Sequence, residues 1–116
     1  MTSGTFGRIQ EVVQETVDEL ARGSYSALEQ RTKGIRLSAS QLQTAVLEYG
    51  RTLSELPPDA LNELNVVEVR NSIPPTFSVW VGLWTMEEGR SDLTLELTLI
   101  DQGATFDVEI DNLHVL

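Results

Sequence analysis

The side chains best suited to chemistry gather toward the C-terminal end. Asp111 and His114 stand three apart, which offers a carboxylate and an imidazole for acid–base work. His114 is the only histidine and cysteine is absent, so nucleophilic catalysis would rest on one imidazole and thiolate metal sites are excluded. Asp107, Glu109 and Asp111 alternate along one run with Glu96 on the run before it, and such carboxylates supply the oxygens a hard cation needs. Alternate strand positions diverge from a common point, however, and no calcium-loop or glycine-rich phosphate-loop pattern accompanies them. The chain is therefore read as non-catalytic, with no cofactor and no metal.

Binding is the better reading of the same stretch. The net charge is −10; eight acids and one base, Arg90, fall from Thr76 onward, which puts −7 of that total on the last third. Such acidity disfavours nucleic acid and anionic membrane and speeds encounter with a basic partner. Trp80, Trp84, Asp92, Glu96, Asp107, Glu109 and Asp111 all fall on the polar sides of alternating runs. Tryptophan is a frequent anchor in protein interfaces and the acids would steer a cationic surface, so these residues form the candidate partner-binding face.

The elements that must hold this face are strands of period two. Thr76–Thr85 puts Phe77, Val79, Val81 and Leu83 on one side and Ser78, Trp80, Gly82 and Trp84 on the other. Ser91–Ile100 sets Leu93, Leu95, Leu97 and Leu99 against Asp92, Thr94, Glu96 and Thr98, and Thr105–Asp111 sets Phe106, Val108 and Ile110 against acids. A hairpin loop at Glu87–Gly89 pairs Leu83 with Leu93, Val81 with Leu95, Val79 with Leu97 and Trp80 with Glu96. A second turn at Asp101–Ala104 pairs Ile100 with Thr105, Leu97 with Val108 and Glu96 with Glu109. Like charges directly opposite oppose pairing, which is a reason to expect a basic partner over them.

The apolar side needs a cover, and the upstream chain provides helices. Phe6, Ile9, Val13, Val17 and Leu20 form one stripe of a helix over 6–21, closed by Arg22-Gly23, behind a tail at 1–5 that lacks the parts of a signal peptide. A short helix over 24–32 brings in Tyr25 and Leu28. Ser38 with Gln41 makes a capping box, and Leu37 with Leu42 a hydrophobic staple, for a helix over 39–49. Asp59 caps a turn over 60–64, and Val66–Val69 reads as a short strand. The result is a single α+β domain: a helical part over 6–64 packed on one face of a curled antiparallel sheet of about four strands over 65–116.

The stretches Ala21–Tyr25 with Leu28, Leu37–Thr52, Leu83–Leu93 and Ile110–Leu116 resemble a small bacterial domain family of unknown function. The order of helices followed by a curled sheet is more distantly similar to the NTF2-like and cystatin-like cone folds. That similarity implies a second function, a pocket between helices and sheet that binds or transforms a small apolar molecule, with Tyr25, Tyr49, Trp84 and His114 as its lining. The leading expectation remains a cytoplasmic binding protein, immunity- or antitoxin-like, that docks a basic protein. It is expected as a monomer or homodimer, away from nucleic acid and membrane.

Overall fold

The computed structural model describes residues 1–116. Helix α1 runs Ser3–Ala21, because the Thr2 hydroxyl accepts the Thr5 N–H at 3.1 Å and starts the helix three residues before the first apolar position. Residues 3–5 are thus helical and do not form part of a tail. Helix α2 is Tyr25–Thr32 and α3 is Ala39–Tyr49, the latter opened by the capping box of Ser38 and Gln41 and closed by Gly50 at φ 73°. Ser38→Ala is expected to cost about 1 kcal/mol, read as a lower urea midpoint at unchanged slope.

Strand β1, Leu53–Ser54, is a two-residue element that the sequence pattern did not announce; it pairs with Thr85 and Trp84. Helix α4, Pro58–Asn62, begins two residues earlier than expected, since Pro58 sits at its first position, where the missing N–H costs nothing. Strands β2 (Asn65–Glu68), β3 (Thr76–Thr85), β4 (Gly89–Asp101) and β5 (Phe106–Val115) complete an open antiparallel sheet ordered β1-β3-β4-β5, with β2 also on β3. The sheet therefore has five strands in place of about four. β1 and β2 share one edge of β3, at Trp84–Thr85 and Phe77–Trp80 respectively.

The central register of β3 on β4 follows the apolar pattern: Val79 faces Leu97, Trp80 faces Glu96 and Val81 faces Leu95. Nearer the turn the pairing slips by two residues, Trp84 facing Arg90, so Leu83 has no direct partner in Leu93. The slip is accommodated by Ser91, whose hydroxyl donates to the Leu83 carbonyl at 2.8 Å and accepts the Leu93 N–H at 3.2 Å.

The β4–β5 register also differs from expectation. Leu97 faces Ile110, Thr98 faces Glu109 and Asp101 faces Phe106, and a bulge then brings Glu96 opposite Asn112. The expected pairing of Glu96 with Glu109 is overturned, and so is that of Ile100 with Thr105. Asp101 causes the shift, because it belongs to β4 and does not open the turn. Its N–H reaches the Pro75 carbonyl at 2.8 Å, and its carboxylate accepts the Gly103 N–H at 2.9 Å and Arg8 at 3.0 and 3.1 Å.

Helices α1 to α3 cover the inner face. Ile9, Val13, Val17 and Leu20 of α1, Leu28 of α2 and Leu42 of α3 join Val79, Leu95, Leu97, Leu99 and Ile110 in one buried cluster. Each such side chain contributes roughly 1.5–3 kcal/mol relative to exposure. Phe106 closes one side, edge-on to Phe77 with ring centres 6.2 Å apart, beneath the Arg8 guanidinium at 4.5 Å.

Two carboxylates pin the loops to this frame. Glu87 accepts the Thr52 N–H at 2.8 Å and its hydroxyl at 2.9 Å, which lowers its pKa, as the Arg8 hydrogen bonds lower that of Asp101. Tyr49 donates its hydroxyl to Glu88 at 2.8 Å, and its own pKa rises because the phenolate would lose that bond. The contribution of the two lowered carboxylates is full above their ordinary values of 4.5 and 3.8 and is lost as pH falls through the lower folded values. Tm is expected to decline across that acid range, and Glu87→Gln to flatten the decline in a Tm-against-pH profile.

Candidate functional site

The outer face of β3, β4 and β5 is met by a helix only at the β3 edge, where α4 lies, and is built by the same alternation that fills the core. Between the buried Val79, Val81 and Leu83, strand β3 turns Ser78, Trp80, Gly82 and Trp84 outward, and Trp80 stays 41 % exposed. Glu96 stands directly across from Trp80, and its carboxylate contacts Nε2 of His114. The Asp111–His114 dyad, set aside in the non-catalytic reading of the sequence, does not form: Asp111 is held by Thr98, and the bulge turns His114 to the outer face across from Thr94, where it meets Glu96. One row along, Glu109 faces Thr98 and makes no hydrogen bond or ion pair, while Asp107 faces Ile100 and accepts from Gln102 at 2.9 Å.

The remaining acids of the expected docking set are tied up or displaced. Asp111 accepts the Thr98 hydroxyl at 2.6 Å and lies 3.2 Å from Arg36 Nε, an ion pair that neutralises it at the sheet's far edge. Asp92 is exposed in the slipped segment of β4, where its carbonyl accepts the Leu116 N–H at 3.2 Å. Trp80, Glu96, Asp107 and Glu109 thus share the open face with Asp111, whose carboxylate is already held by Thr98 and Arg36, whereas Asp92 lies in the slipped segment of β4.

Trp84 belongs to a different feature, a hollow of about 230 Å³ where the outer face meets α4. It is lined by Trp80, Gly82, Trp84 and Arg90 from the sheet and by Asp59, Glu63 and Leu64 from α4 and the residues after it. The hollow exists because β2 stops pairing with β3 at Trp80 and β1 resumes only at Trp84, which leaves Val81–Leu83 without a neighbouring strand on that side. The side-chain-free Gly82 leaves the space above it to Arg90, whose Nε lies 3.9 Å from where a Cβ would stand. None of Asp59, Glu63, Gly82 and Arg90 is a candidate site residue on the sequence alone, where Asp59 reads as a helix cap and Arg90 as the one base among eight acids. The available signal was a side-chain-free position between two tryptophans, with acids four residues apart upstream.

The alternative lining set does not assemble. Tyr49 reaches Glu88, His114 contacts Glu96, and Tyr25 packs at the margin of the core, so of the four only Trp84 lines this hollow. The volume is also below the range of about 300–1,000 Å³ usual for small-molecule sites, and suits one side chain better than a cofactor.

The architecture defines an α+β domain of four helices and a five-stranded antiparallel sheet whose polar face is left open. No helix is long and apolar enough to cross a membrane. The chain belongs to the family described as Domain of unknown function (DUF7668), whose pattern matches residues 17–116, from the last turns of α1 through β5. No curated protein and no solved structure matches it.

Proposed function

We propose that the chain is a non-catalytic, cytoplasmic binding protein that docks a basic protein partner on its open sheet face, in its most concrete form an inhibitor of the immunity or antitoxin type. The observation that carries this reading is Trp80, 41 % exposed beside Glu96 on a face that also presents the unpaired Glu109. A large indole held half in water by a rigid strand suits an interface anchor, and the unpaired Glu109 carboxylate on the same face suits a cationic surface. The acidic surplus of the last third adds long-range steering, which salt would screen.

The test compares wild type with Glu109→Lys in a pull-down from lysate of the source cell at low and high salt. A basic protein retained by wild type at low salt, and lost with the variant and with salt, is the expected result. Retention that ignores both changes, or capture of acidic proteins only, would overturn the reading.

A further inference from the structure

We infer that the hollow between α4 and β3 is a socket for an arginine side chain of that basic partner. This inference rests on the docking reading above and adds where the partner is anchored. The two tryptophans lie four residues apart on one side of β3, about 13 Å along the strand, with Gly82 midway. A long, unbranched side chain laid over Gly82 would have an indole on either hand. Asp59 and Glu63, four residues apart on α4 and its C-terminal cap, line the same space, and neither carboxylate makes an ion pair or hydrogen bond within the chain. Their charge is free for a ligand.

The molecule already seats one guanidinium in this place. Arg90 lines the hollow beside Gly82, yet it has no carboxylate partner, so little holds it there. A planar, weakly hydrated guanidinium stacks on aromatic faces and forks onto carboxylates, which a lysine ammonium does less well. A partner's arginine entering over Gly82 would displace Arg90 and carry its guanidinium beyond Arg90's position, toward the two acids that Arg90 does not reach. Arg90 is the intramolecular competitor for the socket.

Trp80 and Trp84 are the only tryptophans, so the two indole N–H resonances are readily assigned; that of Trp80 reports on the open face as well, and that of Trp84, across from Arg90, discriminates the hollow. The experiment titrates an oligo-arginine peptide, with oligo-glutamate as control, into the full chain and follows both resonances together with the backbone amides. The expected result is a saturable shift of both indoles, a loss of affinity of about tenfold in Asp59→Asn/Glu63→Gln, and a gain in Arg90→Gln. All three positions are exposed, and circular dichroism checks that the variants remain folded.

Arginine peptide that shifts only amides around Glu96 and Glu109, with affinity unchanged in Asp59→Asn/Glu63→Gln, would overturn the socket and leave the acidic-face reading standing. No binding of the peptide at low salt would overturn both. Binding of oligo-glutamate that Arg90→Gln abolishes would show that the socket takes an anion, and would likewise overturn the inference.

Discussion

Leu97→Asp is expected to unfold the protein. Leu97 is 0 % exposed and lies at the centre of the inner face, between Val79 on β3 and Ile110 on β5. The substitution removes roughly 1.5–3 kcal/mol of apolar burial and places a carboxylate where no cation or donor can reach it, a further cost of several kcal/mol. A domain of this size holds a net stability of about 5–15 kcal/mol, so the two terms together take most or all of it. Circular dichroism and a urea titration would show loss of a cooperative transition. A folded Leu97→Asp protein would mean that the leucine face of β4 is the solvent face, and the whole assignment of inside and outside would be reversed.

That assignment was legible in the sequence because it depends on local alternation over long runs. Leu93 to Leu99 can have only one dry side, and Phe77 to Leu83 must share it, which fixes the central register of β3 on β4. Helix α3 was legible to the residue because Ser38, Gln41 and Gly50 are each chemical signals for a helix end. What could not be read depends on contacts between distant parts. The β4–β5 pairing is set by Arg8, ninety-three residues from Asp101, and by a bulge at Asp111 that no residue type announces. The contact of His114 with Glu96 follows from that bulge, so the spacing of the sequence could suggest only Asp111 as a nearby carboxylate. Strand β1 is too short to alternate, and with it the hollow between β1, β2 and α4 stayed hidden. The tryptophans were visible as candidates, but the glycine between them acquires meaning only when the neighbouring strands are seen to stop short.

Trp80→Ala is expected to separate binding from folding. Trp80 lies on the opposite side of the sheet from Leu97, one residue from the buried Val79 and Val81, so an error of one position in the register would exchange their fates. Because the indole is 41 % exposed and leans on a shallow hollow, its truncation leaves no sealed cavity. The stability cost should stay under about 2 kcal/mol, below the range of about 3–5 kcal/mol for truncating a buried aromatic residue. An interface anchor of this type contributes about 2 kcal/mol or more to binding, so affinity for the basic partner should fall at least about 30-fold while the urea transition remains cooperative. Glu109→Lys should weaken the same binding through the association rate, with a reduced salt dependence, because its carboxylate lies beside the indole's row and not beneath it. If Trp80→Ala instead unfolds the chain, the indole belongs to the core, and both the docking face and the arginine socket lose the wall on which they depend.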